Sequence, residues 1–196
     1  MDLQTADLDV DELLQLAIQA SQTDRHDQAI TYLKRAIEKN PENANVVYFL
    51  AAEHAQIGLY ERAMEGMERA LQIDPALHTA RFQLGLLYLT SARVEPALAT
   101  LEPLTTLGDD SYFACFSLGL GHLIRDEFAD CKRLLERGIE LNQSNVPLNQ
   151  DMLRIIEAIK DKVDGSAESA GSDKQEAGGN LWLSAYQKDE DDGKQH

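Results

Sequence analysis

His54 and His122, Cys115 and Cys131, and the adjacent acids Asp109-Asp110 and Asp126-Glu127 are of types that could hold a metal, exchange a disulfide or move a proton. Their spacing argues against each of those uses. The cysteines form no CxxC pair and no His–Cys cluster accompanies them. Two cysteines are too few for a disulfide framework. Neither the HExxH zinc pattern nor the strained GxSxG turn of a nucleophilic serine occurs. Gly85 and the run Gly119-Leu120-Gly121 lie in apolar stretches of helical character, not after a strand, so they do not cradle phosphate. The expectation is a non-enzyme with no cofactor and no metal. What does recur along the chain is contact chemistry: aromatic and aliphatic side chains at helical spacing, suited to holding apolar groups.

Composition narrows the class of partner. The chain has 196 residues, 43% of them hydrophobic, enough for a real core and a tail. With 34 acids against 18 bases the formal net charge is -16. Phosphate recognition needs clustered Lys and Arg, so nucleic acid and anionic membrane surfaces are not expected partners. No apolar run approaches the roughly 20 residues of a membrane span. The start, with Asp2, Asp7 and Asp9, lacks the basic and apolar regions of a secretory signal. A soluble cytoplasmic protein is the expectation, and the Asn142-Gln143-Ser144 sequon reads as a chance match.

The elements that position these residues follow from an internal repeat. Windows opening at Val10, Ala44, His78 and Tyr112 are each 34 residues long and in register. Their seventh positions are Leu16, Leu50, Leu84 and Leu118, and their eighth Ala17, Ala51, Gly85 and Gly119. The twentieth are Ala29, Ala63, Ala97 and Cys131; the twenty-fourth Leu33, Met67, Leu101 and Leu135; the twenty-seventh Ala36, Ala70, Leu104 and Gly138. Pro41 and Pro75 close the first two windows. Each window predicts two amphipathic helices and a tight turn, written most clearly as Gly58-Leu59-Tyr60-Glu61-Arg62-Ala63. Small residues at the eighth and twentieth positions let the helices approach, and large ones at the seventh and twenty-fourth fill the space between layers. Asp9 with Glu12 predicts an N-terminal capping pair. Pro103 falls inside the second helix of the third window, where an interior proline should kink or stop it.

These positions resemble the tetratricopeptide repeat over residues 10–145. The resemblance implies an all-α fold: a right-handed α-solenoid of four hairpins, 10–43, 44–77, 78–111 and 112–145, with a concave groove lined by the first helix of each. Asp109 and Gln143 depart from the family's closing proline. An acidic segment, 1–9, precedes the array. Residues 146–163 carry Leu148, Met152, Ile155, Ile156, Ile159 and Val163 at helical spacing and read as a capping helix. Residues 164–196 read as a flexible acidic tail, with one apolar island at 181–186.

The resemblance also places the second, fifth, ninth and twelfth positions on the concave side. The resulting groove would take Leu14, Ile18, Tyr48, Phe49, Phe82, Leu86, Leu89, Phe113, Phe116, Leu120 and Leu123, strengthening toward the C-terminal half. The Lys, Asn and Arg with which some relatives grip chaperone C-termini are absent; Leu14, Ile18, Phe49, Thr79 and Gln83 stand there instead. Apolar anchors suit a partner's own apolar peptide or helix. The same positions are also open to a second reading, as helix-to-helix packing. His54 and His122, both at the eleventh position and two repeats apart, would lie about 20 Å from each other at ordinary helix spacing, too far to share a metal. Cys115 and Cys131 fall where small apolar residues pack.

Two functional readings follow. One is a protein-binding adaptor or chaperone-like scaffold, similar to small secretion chaperones of this family that hold apolar client segments. The other is a structural subunit of a larger assembly or homo-oligomer, joined through outer or end faces. The island, with Leu181, Trp182, Leu183 and Tyr186, reads as a recognition motif for a partner, a segment that docks in the chain's own groove, or a functionless apolar patch.

Overall fold

The computed structural model describes residues 8–163. Among these residues all regular structure is helical: α1 (Val10–Ser21), α2 (His26–Lys39), α3 (Ala44–Gln56), α4 (Tyr60–Ile73), α5 (His78–Thr90), α6 (Val94–Thr105), α7 (Tyr112–Ile124), α8 (Phe128–Leu141) and α9 (Val146–Ala158). One more helical turn, 160–163, follows α9. No described helix is long and apolar enough to cross a membrane. The chain packs as two compact units, the first ending at Leu87 and the second beginning at Tyr88. In the first unit α1 pairs with α2 and α3 with α4, and α2 lies against α3. In the second α6 packs on α7, α7 on α8, and α8 on α9.

Helices α1, α3, α5 and α7 begin at Val10, Ala44, His78 and Tyr112, the residues that open the four windows. Side chains just before several of them supply acceptors for amides that have no partner inside the helix. Asp9 accepts from Glu12 N–H while Glu12 accepts from Asp9 N–H, both at 2.9 Å. Asn43 takes Val46 N–H at 3.1 Å before α3, and at the array's end Asn145 takes Leu148 N–H at 3.2 Å before α9. The small residues at the twentieth position, Ala29, Ala63, Ala97 and Cys131, are fully buried. Leu33, Met67, Leu101 and Leu135 fill the gaps beside them.

One turn closes all four hairpins. Asp24, Gly58, Ala92 and Asp126, each the fifteenth residue of its window, adopt left-handed backbone with φ of 54°, 77°, 58° and 59°. The following amide reaches back five residues: Arg25 to Ala20 O, Leu59 to His54 O, Arg93 to Tyr88 O and Glu127 to His122 O, at 2.8–3.0 Å. The left-handed residue's own amide reaches back three, to Ser21, Ala55, Leu89 and Leu123. This pair of bonds satisfies carbonyls that the ending helix leaves open.

Pro103 does shorten its helix. α6 has 12 residues where α2, α4 and α8 have 14, and it stops two residues past the proline. The Thr105 and Thr106 hydroxyls then donate to Glu102 O at 2.7 Å and Pro103 O at 2.9 Å. At the array's end, Asn142 joins α8 to α9: its Nδ2 donates to Asn149 Oδ1 at 2.7 Å and to Asn145 O at 2.9 Å, and Asn149 Nδ2 donates back to Asn142 O at 3.0 Å. Buried and engaged in this way, Asn142 has no room for a glycan in the folded chain.

The seventh position departs from its expected filling role. Leu84 is buried, but Leu16 and Leu50 are half-buried and Leu118 is exposed. In windows two to four the fifth position takes the interior instead, with Tyr48, Phe82 and Phe116 buried. A methyl group built on Gly138 would overlap the Phe116 ring, so the small twenty-seventh residue leaves a hole that the fifth-position aromatic enters.

Candidate functional site

That packing redraws the expected groove. Phe82, Leu89, Phe116, Leu120 and Leu123 are at most 2% exposed, and Tyr48 is only slightly more so. These six side chains are core in the folded chain, and the assignment of a partner-binding role to them is corrected. These positions share a helix stripe with the small eighth residue, and that stripe turns inward unevenly: the fifth position is buried in windows two to four, the twelfth in windows three and four, and the ninth in the fourth alone. Leu86 and Phe113 are half-buried, and the Phe113 ring lies 4.2 Å from that of Tyr112, centroid to centroid. The island residues Leu181, Trp182, Leu183 and Tyr186 lie outside the described residues.

An open apolar site is found in the first unit. Leu14, Ile18 and Phe49 are half-buried there. Leu14 and Phe49 pack on a core of Leu13, Ala17, Ala20, Ala29, Leu33, Ala36 and Val46. Beside that core is a cleft of about 230 Å³ lined by Ala17, Ile18, Ser21, Gln22, Leu33, Phe49 and Glu53. Ile18, Ser21 and Gln22 are spaced i, i+3, i+4 along the end of α1, and Phe49 and Glu53 are i, i+4 on α3, so each set shares one helix face. Leu33 of α2 sits behind them. A wider depression of about 570 Å³ runs along α1 alone, lined by Leu8, Asp11, Glu12, Gln15, Leu16 and Gln19.

Glu53 gives the cleft its one charge. It is the single acid of α3 and is 4% exposed. Its Oε2 accepts a hydrogen bond from His26 Nδ1 at 2.9 Å. His26 is the first residue of α2, so this bond ties the second helix of one repeat to the first helix of the next. Sequence reasoning missed the pair, because the two residues belong to different windows and match no motif. The only available signal was a lone carboxylate in the otherwise apolar run of α3.

The other titratable groups have structural settings. Burial pushes the Cys131 thiol up to about 12 and raises that of Cys115, so neither is a ready thiolate at neutral pH. Burial likewise pushes the Tyr48 phenol up to about 12. Burial, with Arg62 and Lys34 nearby, lowers the His54 imidazole below its usual value. At the fourth turn Glu127 accepts from Arg125 Nε at 3.0 Å and from His122 Nδ1 at 2.6 Å, and those bonds hold its carboxyl below the usual range. This exposed cluster sits at a turn and lines no cleft.

Comparison with known proteins agrees with the hairpin architecture. A family model described as a tetratricopeptide repeat matches residues 20–68, a span that includes most of the cleft. Anaphase-promoting complex subunit 3 of Schizosaccharomyces pombe is 29% identical over 97 residues, 50% of this chain. The chain spans only 15% of that relative's length. Among solved structures, MamA from Desulfovibrio magneticus superposes with a TM-score of 0.57 at 17% identity, covering 83% of this chain and 97% of that one. YrrB, described as a TPR protein with an unusual peptide-binding site, has a TM-score of 0.57 at 16% identity, covering 80% and 78%.

Proposed function

We propose that this chain, matched over residues 20–68 by a tetratricopeptide-repeat family model, is an interaction scaffold that binds a partner protein by seating an apolar side chain of a peptide or helix in the cleft between α1 and α3. The observation that carries this reading is the Ile18–Phe49 cleft itself. Its apolar walls are half-exposed, and a partner's aliphatic or aromatic group would remove them from water at roughly 25 cal/mol per Å². The role is non-catalytic: apolar walls and one carboxylate supply binding, not bond-breaking. The partner is a protein, since a chain of net charge -16 repels nucleic acid and anionic membrane alike. YrrB's description as peptide-binding supports the choice of ligand class.

The test is a photo-crosslinking residue placed at Ser21, on the cleft wall, with a control at Glu136, exposed on α8. Irradiation in the source cell should capture a partner segment rich in apolar residues at Ser21 and none at Glu136. Adducts at Glu136 with none at Ser21 would remove the cleft from the function. They would instead support a second reading, a subunit of a larger assembly. That reading is favoured by the exposed Leu118, Val146 and Leu153 of the second unit, and by a relative named as a subunit of a complex.

A further inference from the structure

Glu53 is an unusual wall for an apolar cleft. A carboxylate drawn out of water is costly unless hydrogen-bond donors replace its hydration. Here only Oε2 is served, by His26; among the described residues nothing donates to Oε1. The remaining polar lining, Ser21 and Gln22, carries no charge, so Glu53 is the one carboxylate of the cleft wall, with one acceptor oxygen to spare. Phe49 lies one helical turn before Glu53, its Cβ about 5–6 Å away, which sets an aromatic ring beside the carboxylate.

We propose that the cleft recognises an arginine of the partner, next to the apolar residue that it seats. A guanidinium suits both features together. Its planar fork donates to the free carboxylate oxygen, and its face stacks on an aromatic ring, which an ammonium does less well. Its aliphatic stem lies along apolar surface such as that of Ile18 and Leu33. The inference rests on the binding role proposed above and adds the chemistry of the ligand. Overall acidity alone would favour any basic peptide. That general attraction is screened by salt, whereas a contact to a mostly buried carboxylate is screened much less, and the difference separates the two.

The experiment selects random 12-residue peptides from a display library on the full chain at about 1 M salt, where the Debye length is about 3 Å. It is repeated on Glu53→Gln and on Ser21→Lys. Glutamine keeps an oxygen for His26, and circular dichroism checks its fold. Ser21→Lys leaves the buried residue untouched and offers Glu53 an internal cation. The native chain should enrich peptides pairing Arg with Leu, Ile or Phe within four positions. Both variants should keep the apolar enrichment and lose the arginine. In a selected peptide, replacing Arg by its neutral isostere citrulline should weaken binding about tenfold to the native chain and less than twofold to Glu53→Gln. Apolar enrichment without arginine, or arginine enrichment equal in all three proteins, overturns the inference and leaves the binding role standing. Loss of the apolar enrichment in the native chain overturns both.

Discussion

The four hairpin turns allow an experiment with two opposite outcomes from one rule. Ala92 holds a left-handed backbone at φ 58°, a conformation that costs an L-residue roughly 1–2 kcal/mol. Ala92→Gly removes that cost. It also frees the unfolded chain, which offsets the gain by about 0.4–1 kcal/mol. Ala92 is exposed, so little packing is lost with its methyl. The net expectation is stabilisation of about 0.5–1 kcal/mol. Gly58→Ala runs the argument backwards: φ is 77°, and a methyl built there meets nothing within 4 Å, so strain rather than collision sets the change. It should destabilise by about the same amount. For a chain of this size each kcal/mol moves the melting midpoint by about 2–4 °C. Thermal melts of both variants, followed by circular dichroism at 222 nm, should therefore shift in opposite directions. Equal shifts of the same sign would refute the assignment of strain to the fifteenth position.

Gly138→Ala should destabilise the second unit, because the added methyl overlaps the buried Phe116 ring; overpacking costs roughly 1–3 kcal/mol, against about 1 kcal/mol gained in helix propensity. Adding Phe116→Leu should recover part of the loss in urea melts, and full additivity of the two changes would contradict that contact. Alkali should also weaken the fold. Cys131 and Tyr48 titrate near 12 when folded, against 9.0 and 10.0 when free. Folded values above unfolded ones mean that this stability is complete below about pH 9 and falls as pH climbs toward 12. Urea midpoints at pH 7, 9 and 10.5 should decline over the upper interval, and Cys131→Ala should flatten the part that begins near 9.

Much of the fold is legible because close helix packing demands small residues at fixed phase. Ala29, Ala63, Ala97 and Cys131 recur for that reason, and the windows they define open where the helices open. The turns are less legible. Gly58 advertises a left-handed residue, but Asp24 and Asp126 only tolerate it and Ala92 gives no sign. The site was read less well than the fold. A periodic apolar residue looks the same whether its stripe meets a second helix or open solvent. The choice at Phe116 was made by the absence of a side chain at Gly138, far along the chain. Ile18 and Phe49 stand out in the sequence as apolar residues and do line the open cleft, whereas the Glu53 carboxylate acquires meaning only from His26 of the preceding repeat.

The common turn has a consequence for how such a chain can change length. Every hairpin is closed by bonds internal to its own window, joining the fifteenth and sixteenth residues to the helix just before them. A recombination that deletes or duplicates one full 34-residue period rejoins equivalent positions wherever the breakpoint falls, and each surviving turn keeps its own acceptors. A change by any other number of residues puts the small and large side chains out of phase at the junction. The gene can thus gain or lose repeats in whole steps with little intermediate cost, while the His26–Glu53 bond, which crosses a window boundary, marks one junction that an inserted repeat would separate.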